Sequence, residues 1–128
     1  MTMKLLLVMA FCTLTINSHA EYKAFTLYKG KTVASASAIV TRLCSEITIT
    51  ADQKTKVTEI ISTFIDEKNK ILPLQESNKA AYEEKRASYF KILKAKLSEV
   101  LLKVQLEKFL QLKPKVAETD NTLYYLFY

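Results

Sequence analysis

One glycine and two prolines are all that interrupt 128 residues, and this scarcity constrains the fold more than any other feature. Glycine and proline are the usual punctuation between helices and the usual makers of tight turns. A chain with three of them has few places to reverse. Seventeen lysines fill the remaining positions with good helix formers. The pattern predicts an all-α chain of about four helices, a long helical hairpin with short flanking helices.

The firmest segment begins at Ile49-Thr50-Ala51-Asp52-Gln53. Thr50 and Gln53 stand three apart ahead of a periodic apolar run, the spacing of a capping box. The Thr hydroxyl accepts from the N–H at the third helical position, and the Gln side chain reaches back to the cap N–H. Val57, Ile60, Ile61, Phe64, Ile65, Ile71 and Leu72 then recur at helical spacings. They fill an arc of about 140°, with Glu59, Asp66 and Lys70 opposite. This helix should stop near Leu72, because Pro73 lacks an N–H and disfavours helical geometry in the residue before it.

The chain opens Met1-Thr-Met-Lys4, runs apolar from Leu5 to Leu14, and reaches Asn17-Ser18-His19-Ala20. A basic start, a short apolar core and a small-x-small ending are the parts of a secretory signal peptide over residues 1–20. The apolar run is too short to span a bilayer, and nothing later is longer. Lipoprotein processing at Cys12 is disfavoured by Phe11, where a small residue is wanted. Cleavage after Ala20 would remove Lys4 and no acid, leaving 108 residues with a net charge of +5. Export to the periplasm is the address expected. Cys44 would then be the sole cysteine, with no internal disulfide open to it. It reads as a small buried hydrophobe or as an intermolecular bridge between protomers.

Residues 21–31 alternate weakly and end at Gly30, which predicts an extended or flexible arm. Thr32 could cap a first helix with Val33, Ala36, Val40, Leu43 and Ile47 along a narrow seam. After the second helix, Pro73 to Asn78 forms a turn, or else a kink in one continuous helix. A third helix from about Ser77 or Asn78 carries Tyr82, Tyr89, Leu93, Leu97, Val100 and Val104 on one face. Leu102, Leu106 and Phe109 lie on the opposite side of the same wheel, so a break is expected near 98–102, with a fourth helix ending before Pro114. Residues 32–114 thus form one helical domain. From Lys115 to Tyr128 an aromatic tail follows. Its apolar, uncharged end favours docking on its own or a partner's helices over a terminal strand or a recognition tag.

Without His19 the chain has no histidine, which removes the commonest general base and metal ligand. There is no phosphate loop and no zinc-like cysteine pair. The acidic pairs Asp66-Glu67 and Glu83-Glu84 each place adjacent residues on diverging helix faces. No catalytic, metal or cofactor site is expected, and the chain does not read as an enzyme. From Glu46 to Glu84 the net charge is −3, and from Lys85 to Lys115 it is +7. This asymmetry suits an antiparallel homodimer or acidic partners. Nucleic acid is disfavoured, with two arginines and no known module. Lys68 and Arg86 fall inside otherwise apolar arcs near the closed end of the hairpin. Their stems could pack with the charged heads in water. Alternatively, with Phe64, Tyr89 and Phe90, they could form an open mixed surface that binds unfolded chains.

The sequence resembles the Spy/CpxP family of periplasmic proteins, named for a repeated Leu-Thr-x-x-Gln motif. Ile49, Thr50 and Gln53 match the first copy, with Ile for Leu. Leu101-Leu102-Lys103-Val104-Gln105 is similar to a degenerate second copy that keeps Leu101 and Gln105 and has lost the Thr. The resemblance spans residues 32–113. It implies a hairpin-like subunit paired antiparallel into a curved cradle. It also implies an ATP-independent chaperone, stress-protective in the envelope, that binds unfolded clients without cofactor. A regulator docking on the outer domain of a membrane sensor is the alternative. Relatives that sense metals use histidines, which this chain lacks, and the aromatic tail is not part of the family pattern.

Overall fold

The computed structural model describes residues 26–28 and 31–128. The expected signal peptide with Lys4, Cys12 and His19 lies outside them, as do residues 21–25, 29 and 30 of the expected arm. Two short strands come first, β1 (Thr26–Tyr28) and β2 (Lys31–Val33). They pair antiparallel, with Thr26 opposite Val33 and Tyr28 opposite Lys31. Everything after them is helix or turn, and the fold is all-α.

The pairing of Thr32 in β2 moves the start of the first helix. Instead of Thr32, Ser35 caps α1 (Ala36–Glu46), its side chain accepting from the Ala38 N–H at 3.3 Å. Ile39, absent from the expected seam, is buried with Val40, Leu43 and Ile47. The outward face carries an Arg42–Glu46 pair one turn apart at 2.7 Å. Small Ala34 and Ala36 and half-buried Cys44 border the core.

The second helix, α2 (Ala51–Ile71), has the expected capping box. The Thr50 hydroxyl accepts from the Gln53 N–H at 3.2 Å, and Gln53 Oε1 accepts from the Thr50 N–H at 3.0 Å. Val57, Ile61, Phe64, Ile65 and Ile71 are buried, with Ile60 half-buried. Asp52 in the first turn and Lys68 and Lys70 in the last agree in sign with the helix dipole. At Pro73 the helix yields to a single turn, α3 (Leu74–Ser77). Asn78 then caps α4 (Lys79–Val100) by accepting from the Ala81 N–H at 3.1 Å. The two long helices lie against each other as a hairpin, and α1 packs on α2. Tyr82, Leu93 and Leu97 are the fully buried residues of α4.

The break expected near 98–102 is present. Leu101 is extended (φ −91°, ψ 146°), and α5 (Lys103–Gln111) follows. Phe109 turns into the core, while Leu102 (69 % exposed) and Val104 (62 % exposed) do not. Val104 therefore does not extend the face of α4, because the extended residue between the helices resets the wheel. Turns over residues 112–123 lead to α6 (Tyr124–Phe127). Leu123, Tyr125, Leu126 and Phe127 join the same core as Phe64, Leu93 and Phe109. Burial of side chains this size is worth about 1.5–3 kcal/mol each in transfer from water.

Candidate functional site

The two motif copies meet at the open end of the hairpin. Gln53 Nε2 donates to Gln105 Oε1 at 2.9 Å, and Gln105 Nε2 donates back to Gln53 Oε1 at 3.2 Å. Each amide also serves its own helix. Gln105 Oε1 accepts from the Leu102 N–H at 2.8 Å, as Gln53 Oε1 does from Thr50. Each remaining donor crosses to the residue two before the other cap: Gln53 Nε2 to the Val100 carbonyl at 3.0 Å, Gln105 Nε2 to the Thr48 carbonyl. A primary amide has two donors and two acceptor positions. Both side chains use all four, in an arrangement that repeats almost symmetrically about the pair. The copies differ at the cap itself, where Leu102 has no side-chain oxygen and α5 keeps only the returning half of the box. Ile49 and Leu101 pack into the core beside this clasp. The motif residues are thus a structural lock between two helix starts, and they present no reactive group.

At the closed end the arrangement differs from expectation. Lys68 is 0 % exposed. Its ammonium donates to the main-chain oxygens of Tyr125 at 2.6 Å and Tyr128 at 2.8 Å. It also lies 4.0 Å from the centre of the Tyr125 ring. Burial, and secondarily the Arg86 guanidinium, push its pKa down to about 7, with Glu83 opposing. Arg86 bonds Glu83 Oε2 through Nε and Nη2, and donates from Nη1 to the Phe127 carbonyl at 3.0 Å. The Lys68 head is out of water, unlike that of a snorkelling residue, whereas Arg86 stays part-exposed beside Glu83. The tail brings main-chain oxygens into an apolar place, and the two cations are the donors that meet them. Phe90 is covered too, its ring 5.4 Å from that of Phe127, which in turn stacks on Phe109. Tyr125 completes the closure by donating its hydroxyl to Asn69 Oδ1 at 2.8 Å.

Of the five residues expected to form one mixed surface, Lys68, Arg86 and Phe90 are therefore taken up by the tail. Phe64 and Tyr89 border a separate groove between α2 and α4. Its lining is Ile60, Thr63, Phe64, Glu67, Tyr89, Ile92, Leu93 and Lys96, around a space of about 200 Å³. Ile92, 48 % exposed, stands at its edge. Sequence reading missed this residue because the apolar arc of α4 was drawn from Tyr89 and Leu93 without it. A lone Ile between Lys91 and Leu93 gives no separate periodic signal. The groove has an apolar floor with one acid and one base at its rim. It offers contact area and weak electrostatic guidance.

Cys44 is a free thiol, half-buried on α1. Among the described residues, no cluster of three His, Cys, Asp or Glu side chains is placed to hold a metal ion. No helix among them is long and apolar enough to cross a membrane. Comparison with protein-family models, curated proteins and solved structures found no match to this chain.

Proposed function

We propose that this chain is an ATP-independent chaperone of the cell envelope that holds unfolded segments in the groove between α2 and α4. The observation that carries the reading is the groove itself, an apolar floor edged by half-exposed Ile92 with Glu67 and Lys96 at the rim. Unfolded chains present scattered apolar side chains, which such a floor can bind without sequence readout. A charged rim keeps the surface soluble between clients. The resemblance to the Spy/CpxP family, carried by Thr50, Gln53, Leu101 and Gln105, supports the same reading. So do the signal-peptide pattern expected over residues 1–20 and the net positive charge. Two subunits paired antiparallel would place two such grooves in one assembly.

The test is light scattering from a reduced or denatured test protein mixed with this chain. Stoichiometric amounts should slow aggregation without nucleotide. Ile92→Glu should lose most of that effect while circular dichroism remains helical. No suppression at several-fold excess of the wild type would overturn the proposal.

A further inference from the structure

The C-terminal segment sits on the hairpin in an unusual way. Bonds from main chain to main chain run within the segment, Tyr124 to Asn121, Leu126 to Leu123 and Tyr128 to Tyr124. It is tied to α2 and α4 through side chains, namely Lys68, Asn69 and Arg86. The segment can therefore lift away without breaking the hydrogen-bond ladder of either long helix. The connection over residues 115–118 is an exposed turn, closed by the Glu118 N–H on the Lys115 carbonyl and the Lys115 N–H on the Glu118 carboxylate.

The pocket beneath is chemically general. Lys68 donates to the Tyr125 carbonyl and Arg86 to that of Phe127, groups that every polypeptide carries, and Lys68 also donates to an oxygen of Tyr128. Phe90 and Phe109 receive an aromatic ring, that of Phe127. Side chains add selection: the Phe127 ring, buried Leu123 and Leu126, and the Tyr125 hydroxyl on Asn69. Docking also strips water from Lys68, a cost that the bound segment must offset.

We propose that the closed end of the hairpin is a peptide-binding pocket for aromatic-bearing unfolded segments, and that the chain's own tail from Leu123 is its displaceable occupant. The inference rests on the chaperone reading and adds its regulation. The α2/α4 groove is open at all times, whereas this second pocket is covered until a client competes with the tail. Release uncovers Phe90, Phe109, Lys68 and Arg86 at once.

The test uses the full-length chain and a fluorescent peptide of residues 121–128 carrying an N-terminal solubilising lysine tag. Phe127→Ala removes the ring that anchors the tail. It should bind the peptide at least tenfold more tightly than the wild type by anisotropy, and adding Lys68→Met should cancel the gain. Equal binding by wild type and a folded Phe127→Ala variant would overturn the proposal. Native-state hydrogen exchange of the wild type covers the case in which that variant fails to fold. The Leu126 amide should open with a smaller denaturant dependence than the amides of Ile61 and Ile65. Coincident global opening of all three would overturn displaceability. The two readings separate cleanly. Absent suppression of aggregation by wild type and variant alike sinks the chaperone reading and leaves peptide binding readable. Suppression without peptide binding sinks the latch alone.

Discussion

At Lys68 the desolvation of an ammonium is set against two main-chain oxygens and an aromatic face. Burial brings its pKa to about 7, against an ordinary 10.5. Between these values the unfolded chain binds the extra proton, so stability rises with pH across that window and levels off below it. The slope can reach about 1.4 kcal/mol per pH unit for one proton. Chemical denaturation between pH 7.5 and 9 in a Cys44→Ser background, which removes the free thiol, should show this rise. Lys68→Met should flatten it. A flat wild-type profile would mean that the oxygens and the Tyr125 ring hold the charged form in the folded state. In sequence, Lys68 was legible as a misfit inside an apolar arc. Its partner was not, because Tyr125 and Tyr128 lie 57 and 60 residues further on. The tail was legible separately, as an apolar end that must dock. Nothing local says that the misfit cation and the misfit tail answer each other.

Among elements, the two helix starts joined by Gln53 and Gln105 carry the clearest energetic consequence. Replacing either Gln by Leu orphans groups on both helices and should cost about 1–3 kcal/mol. Because the two amides share reciprocal bonds, the double variant should cost less than the sum, with a coupling of roughly 0.5–3 kcal/mol in a denaturation cycle. Strict additivity would mean that the amides act as separate caps. Leu102→Thr should act in the other direction. It restores the missing acceptor at the start of α5 and should gain about 1 kcal/mol, since exposed Leu102 contributes little packing. The elements legible in sequence were those fixed by local chemistry: the Thr50 cap, the stop at Pro73, a helix start near Ser77 or Asn78 and the face shift near Leu101. The start of α1 was not. Thr32 and Ser35 are both competent caps, and the choice follows from β2 pairing with β1, a contact that no spacing within the helix encodes. The clasp was half legible, since both glutamines stood out as motif positions while their meeting requires the hairpin to be folded.

Across the whole molecule, charge and apolar surface divide the labour of capture and holding under the proposed function. The residues from Glu46 to Glu84 carry net −3 and those from Lys85 to Lys115 net +7. The hairpin sets these blocks side by side; Lys96 of α4 lines the groove, and Lys91 and Lys94 are exposed elsewhere on the same helix. Attraction between exposed charges acts over about 10 Å at 0.1 M salt and is mostly lost at several times that. Apolar contact is not weakened in the same way. An acidic unfolded client should thus be captured roughly tenfold faster at low salt than at 0.5 M, while the final extent of protection changes little. The variant Lys94→Glu with Lys96→Glu should slow capture of that client at low salt and match the wild type at 0.5 M. Ile92→Glu should instead reduce protection at both salt concentrations. Stopped-flow fluorescence of a labelled client gives the rates, and light scattering gives the extent. If capture of acidic and basic clients shows one common, salt-independent rate, the basic face plays no part in recruitment, and the groove alone must account for any activity.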